Sequence, residues 1–249
     1  MAQIKVRGIV ADTAPMGEKD KRLVILTKEL GKISVLAKGA RSQAGKQAAP
    51  SQLFCTADFV LDKGRTFYYI KEYEILETFY SLRMDVERLS YASVMLETAR
   101  LFSLDGEDNT ALFQLLIRGL HAMQKNILHP QMIMSTFLLR LLADNGYRPQ
   151  LSSCIRCGKP YDGQSWFFDP LDGGLVCPEH RNRERLTIGE GAVHAMRYIC
   201  DAKEADVFRF KVTDSLRREI YPLIRDFLRI HAGTTPKSLE FAENLENPW

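Results

Sequence analysis

Residues 22–38 read Arg22-Leu23-Val24-Ile25-Leu26-Thr27, then Lys28-Glu29-Leu30-Gly31, then Lys32-Ile33-Ser34-Val35-Leu36-Ala37-Lys38. Apolar residues dominate the first run and alternate with polar ones in the second, and a short connection ending in glycine joins them. That pattern predicts two half-buried strands paired as a hairpin. Working outward, residues 3–12 also alternate, with Gly8 marking an expected bulge or bend. The stretch from Asp12 to Asp20, with Pro15 and Gly17, reads as a loop. Beyond Lys38, the segment Gly39 to Gln52 has no aliphatic residue larger than Ala and reads as a flexible basic loop. Leu53–Leu61 and Thr66–Ile75 read as two more strands joined by the Asp62-Lys63-Gly64-Arg65 turn. Five short strands, with a long connection between the third and fourth, predict a small Greek-key barrel of OB type.

From Leu82 the period becomes helical. One helix carries Leu89, Ala92, Leu96 and Ala99; a second spans about Thr110–Gln124 and a third about Pro130–Asn145, stopped by Gly146. Thr187 with Glu190 reads as a capping box opening a helix to about Cys200. Thr213 caps a last helix with Leu216, Ile220, Leu223, Ile224, Phe227 and Leu228 on one face and Pro222 as a potential kink. The acidic tail from Gly233 reads as loosely ordered, apart from Phe241 and Leu245.

Inserted before the fourth helix is Cys154-Ile155-Arg156-Cys157, followed after nineteen residues by Cys177-Pro178-Glu179-His180. Each x-x spacing lets two side chains converge on one tetrahedral ion at ~2.0–2.3 Å, and four protein ligands leave no open position for a substrate or water. Cys154, Cys157, Cys177 and His180 therefore read as one structural zinc per chain. The fold class is α+β: an OB-type barrel over residues 1–78, then a mainly helical domain over residues 79–249 with the zinc knuckle at about 150–185. Cys55 and Cys200 read as buried thiols. An odd total of five cysteines and an N-terminus without a secretion signal argue against disulfides and for the cytoplasm.

The net charge of +3 decides little, but residues 1–50 hold ten Lys or Arg against four Asp or Glu. That basic third points to polyanions. Lys32, Lys38, Arg41 and Lys46 form its first group; Arg181, Arg183 and Arg185 follow the zinc ligands, and Arg217, Arg218, Arg225 and Arg229 lie on the last helix. The competing reading of the last set is surface pairing with Asp214, Glu219 and Asp226. Phe54, Phe59, Phe67, Tyr68 and Tyr69 supply rings to stack bases or to fill the barrel. No phosphate-binding glycine loop, nucleophile elbow or paired-carboxylate constellation occurs, so the chain reads as non-catalytic. A zinc-containing nuclease or deaminase, or an adaptor with incidental DNA affinity, are the rival readings.

Gly8-Ile9-Val10, the run Leu26 to Arg41, Gly146-Tyr147-Arg148-Pro149 leading into Cys154–Gly158, and Gly173-Gly174-Leu175-Val176-Cys177 occur in that order. In these segments the chain resembles the RecO family of bacterial recombination mediators along nearly its whole length. The resemblance implies binding to single- and double-stranded DNA and annealing of complementary strands. It further implies work with RecR to load RecA onto strands coated by single-strand-binding protein, in the nucleoid. It places Lys32, Lys38 and Arg41 at positions linked to DNA contact, with Ser34 where a relative could carry another base.

Overall fold

The computed structural model describes residues 2–42, 44–181 and 186–246. The chain divides into two compact units, one of Met1–Val86 with Leu96–Ile117 and one of Glu87–Met95 with Arg118–Trp249. In the first unit β1 (Gln3–Met16), β2 (Asp20–Thr27), β3 (Lys32–Ala37), β4 (Thr56–Lys63) and β5 (Tyr68–Glu77) close into a barrel of order β1-β2-β3-β5-β4. Strand β4 returns to β1, and β3 with β5 is the parallel pair. Alternation does the sorting: Ile33, Val35 and Ala37 point inward from β3 while Lys32, Ser34 and Leu36 stay partly exposed. Val6, Leu23, Ile25, Phe59, Leu61 and Ile70 join them in the barrel core. Removing each larger side chain from water contributes ~1.5–3 kcal/mol.

Three details differ from the sequence expectation. Strand β1 runs to Met16, past the expected loop at Asp12. Beyond Val10 its register partners are on β2, which leaves Pro15 free of any need to donate on the other side. The bulge falls between Val10 and Asp12, while Gly8 keeps regular register with Thr27 and Ala57. Gly8 is small for a packing reason instead: a Cβ there would stand 2.5 Å from Ile25 Cγ2. Finally, residues 39–42 and 44–52 form mostly turns pinned to the barrel. Gln47 Nε2 donates to the Ile70 carbonyl at 2.9 Å, the Tyr73 hydroxyl donates to the Lys46 carbonyl at 2.7 Å, and Pro50 and Ser51 are buried.

The helices are α1 (Val86–Phe102), α2 (Thr110–Gln124), α3 (Pro130–Asp144), α4 (Glu190–Asp201), α5 (Asp214–His231) and α6 (Lys237–Glu246). The chain connects β5 to α1 through a 3-10 turn at Tyr80–Met84. Helix α3 is buried from Gln131 to Leu139 on every face, as expected of a central helix. Its start is capped by His129, whose Nδ1 accepts from the Gln131 amide at 3.3 Å, and Gly146 follows its end at a φ of 91°. Thr213 caps α5 by accepting from the Leu216 amide at 3.3 Å; Pro222 lies inside the helix, and Ile220, Leu223, Ile224, Phe227 and Leu228 are buried.

Short strands were not legible from periodicity. Here β6 (Trp166–Asp169) pairs with β7 (Gly174–Val176) and with β8 (Leu186–Ile188). Three residues give no alternation to count. Thr187 consequently lies in β8 opposite Phe167, and α4 is capped by Gly189, whose amide donates to Glu219 at 2.6 Å. The acidic tail is helix α6, which buries Leu239 and Ala242 while Phe241 is exposed. Glu243 on α6 pairs with Arg229 at 2.7 Å and Arg225 at 3.6 Å on α5. Among the described residues no helix is long and apolar enough to cross a membrane.

Candidate metal centre and nucleic-acid interface

The two x-x turns meet. The ligand atoms of Cys154, Cys157, Cys177 and His180 all lie within 4.8 Å of one another, an arrangement that could hold a metal ion. Cys157 and Cys177 sulfurs stand 3.8 Å apart, and the Cys177 sulfur is 3.3 Å from His180 Nδ1. Metal–sulfur bonds of ~2.3 Å at tetrahedral angles put two sulfurs ~3.8 Å apart, so the spacing fits such an ion. The first turn closes through the Gly158 amide on the Cys154 carbonyl at 2.9 Å, with Gly158 at a φ of 76°. The second leaves β7 and closes in a 3-10 turn, with the His180 amide on the Cys177 carbonyl at 3.0 Å. The Ile155 amide bonds the Leu175 carbonyl at 2.9 Å, tying the first turn to β7.

Amides of Arg156 and Cys177 each donate to the Cys154 sulfur at 3.4 Å. Burial pushes that thiol up, but these N–H groups outweigh it and bring it down to about 6. Burial and the neighbouring Cys154 and Cys157 thiols hold Cys177 above the ordinary thiol range. One thiol ready to ionise beside a second that resists a further negative charge is a donor pair that a dication relieves. Cys55 and Cys200 differ: burial pushes both up to about 11, which makes them inert.

In the second unit most described arginines are already bound. Arg140 donates to the Ala202 carbonyl at 2.6 Å and to Asp144 at 2.9 Å; Arg148 pairs with Asp201, Arg156 with Asp172, and Arg118 with Glu204 at 2.9 Å. Arg217 bonds Gln131 and Asp214, and its side chain is only 12% exposed, so the expected phosphate contact there has little left to offer. Arg218 is exposed, and Arg181 is exposed over the Phe167 ring at 5.0 Å. Arg183 and Arg185 lie outside the described residues.

On the barrel the expected basic group is split. Lys38, Arg41 and Lys46 are exposed and form no ion pair among the described residues. The Arg41 amide donates to the Lys19 carbonyl at 3.0 Å and its guanidinium to the Gly17 carbonyl at 2.6 Å, so this group abuts the β1–β2 turn. Lys32 starts β3 at its opposite end, roughly 20 Å away at ~3.3 Å per residue, and lies 4.0 Å from Asp105. Of the rings offered for stacking, Phe54 and Phe59 are core, and Lys38 covers a face of Tyr69 at 5.2 Å. Tyr73, which sequence reading passed over, is exposed beside Lys46 with its hydroxyl anchored. Sequence reading also passed over Lys19 and Lys21; their signal was the register Lys21↔Ala37, invisible without pairing.

Family models match both parts of the chain. A family model for the N terminus of recombination protein O matches residues 1–79, and one for its C terminus matches residues 83–240. The chain is 34% identical over 249 residues to the DNA repair protein RecO of Acetivibrio thermocellus, covering 99% of this chain and 98% of that protein. It is 35% identical over 245 residues to the DNA repair protein RecO of Alkaliphilus metalliredigens, covering 97% and 99%. With the protein of that name from Clostridium acetobutylicum it shares 28% over 240 residues, covering 96% and 97%.

Proposed function

The chain belongs to the RecO family, and from that premise we propose that it is a non-enzymatic DNA repair and recombination mediator of the cytoplasm. It binds single- and double-stranded DNA through the barrel and anneals complementary strands. With RecR it promotes RecA loading onto strands coated by single-strand-binding protein. The observation that carries the DNA reading is the group of exposed cations on the barrel, Lys38, Arg41 and Lys46, which form no ion pair among the described residues. Unpaired surface cations attract polyanions because releasing condensed counterions costs no existing bond. The partner steps rest on family membership.

Zinc is the ion we assign to Cys154, Cys157, Cys177 and His180, in a structural role. Three thiolates and an imidazole suit it, and four ligands close its coordination. Bound there, it staples the β6–β7 hairpin to the preceding turn and supplies no chemistry.

Two measurements test this reading. Affinity for a labelled oligonucleotide should be largely independent of sequence and fall steeply with salt, because phosphate contacts dominate; affinity that ignores salt would remove the phosphate track. Complementary strands coated with single-strand-binding protein should pair faster with the protein and without any nucleotide, since base pairing drives the step and the basic surface only offsets backbone repulsion. The rate should fall at high salt. No acceleration at any protein concentration would refute annealing and leave a DNA-binding adaptor.

A further inference from the structure

Of the five cysteines only Cys157 is exposed; Cys55, Cys154, Cys177 and Cys200 are buried. The local fold sets this difference. Cys154 enters the first turn against β7, and its sulfur lies beneath the Arg156 and Cys177 amides at 3.4 Å. The chain then turns outward, so that Arg156, Cys157, Gly158, Lys159 and Pro160 are all exposed. Cys157 thus faces solvent on one side and the other ligands on the other. Its sulfur stands 3.8 Å from that of Cys177, which belongs to the second turn and is fully buried.

Oxidation of a cysteine follows its exposure and thiolate character, and a sensing cysteine works beside a second one that resolves it. Both parts are present. Ligation keeps sulfur as thiolate, and solvent reaches one of the three ligand sulfurs. An approach of roughly 1.8 Å would bring Cys157 and Cys177 to the bonded separation of ~2.05 Å. The two turns already meet on the solvent side, where Lys159 Nζ lies 3.3 Å from Glu179 Oε1. Joining the two sulfurs therefore asks little of the backbone.

We infer that Cys157 and Cys177 form a peroxide-sensitive switch on the metal centre. The Cys157 thiolate attacks one oxygen of hydrogen peroxide; the O–O bond breaks, hydroxide leaves, and Cys157 becomes a sulfenic acid. The Cys177 thiolate then attacks the Cys157 sulfur. The S–S bond forms as the S–O bond breaks, and a second hydroxide leaves. Two electrons have passed from the sulfurs to the peroxide, and two protons from solvent turn both hydroxides into water. Cys154 and His180 remain as ligands, too few to hold zinc. The oxidised insert gives up its ion while the new bond keeps the two turns joined, and a thiol reductant reverses the step by disulfide exchange. The inference rests on the zinc assignment above.

The test treats zinc-loaded full-length protein with hydrogen peroxide and follows free zinc with a chromogenic chelator. Zinc and disulfide should appear in equal amounts, and peptide mapping by mass spectrometry should find Cys157 joined to Cys177. Dimedone present during oxidation should label Cys157 and suppress the disulfide. Dithiothreitol with added zinc should restore the metal content. Cys55→Ala with Cys200→Ala should keep the rate of zinc release within about twofold of the original, because neither thiol is exposed to meet peroxide. If the alanine pair does not fold, the map of the unaltered protein decides alone. A map joining Cys154 to Cys157, sulfenic acid trapped on another cysteine, or full zinc retention after peroxide would each overturn the switch. Protein purified without zinc that still gives the Cys157–Cys177 disulfide would sink the zinc assignment and keep the sulfur pair.

Discussion

Replacing Cys177 by Ser should take the metal content from one zinc per chain to near zero and loosen the insert from about residue 150 to 181. Cys177 is fully buried, its amide feeds the Cys154 sulfur at 3.4 Å, and its own sulfur stands between Cys157 at 3.8 Å and His180 at 3.3 Å. Serine keeps the shape but is a poor ligand for zinc, and three remaining ligands leave an open coordination position. Binding energy at such a site is folding energy, ~10–16 kcal/mol in isolated zinc-finger peptides. Here part of it is shared with β6, β7 and the Phe168–Phe227 contact at 5.8 Å, so the loss should be several kcal/mol rather than the whole. Metal analysis and amide exchange of the insert check both parts. Full zinc in the serine variant would exclude Cys177 as a ligand. Exchange protection unchanged in metal-free protein would remove the structural role. Acid should mimic the substitution: ligands must be deprotonated to bind, so zinc is retained at neutral pH and released as pH falls. Oligonucleotide binding by the barrel should survive.

Legibility in the sequence followed the length of each signal. Strands β2 and β3 alternate over enough residues to fix a period, and α2 and α5 repeat apolar residues through four turns, so their positions were plain. The pairing that sets Tyr69 beneath Lys38 was not legible, because the parallel β3–β5 contact joins strands distant in sequence. Arg217 misled for the converse reason. A basic residue on an amphipathic helix looks solvated until the packing shows Gln131 beside it. The cysteine–histidine cluster was the easy case: a short spacing rule encodes a local geometry, and the two halves needed only the β6–β7 hairpin to meet. The tail failed because three glutamates suggest solvation, whereas Glu243 answers Arg225 and Arg229.

Gly31→Ala should destabilise the barrel by about 3–5 kcal/mol, lowering its melting temperature by roughly 10 °C or more. Gly31 holds a φ of 63°, in the left-handed region where a Cβ costs ~1–2 kcal/mol. The larger penalty is steric. A Cβ there would stand 1.7 Å from the Leu104 carbonyl oxygen, which is backbone and cannot turn aside like a side chain. The turn or the 104–109 segment must therefore move, and both are tied. The Leu30 carbonyl accepts from the Gly106 amide at 3.0 Å, the Lys28 carbonyl from the Asn109 amide at 2.9 Å, and the Gly31 carbonyl from the Thr27 amide at 2.8 Å and hydroxyl at 2.7 Å. Each bond lost costs ~1 kcal/mol, more where the orphaned group stays buried. Because the same hairpin leads into Lys38, oligonucleotide binding should fall as the barrel melts. The salt slope of the protein that remains folded should stay at its original value, since no phosphate contact has been removed. A calorimetric scan beside a salt titration separates the two effects. A Gly31→Ala protein as stable as the original would mean that the turn and the 104–109 segment are not packed against each other. A flattened slope with unchanged stability would place Gly31 itself on the nucleic-acid path.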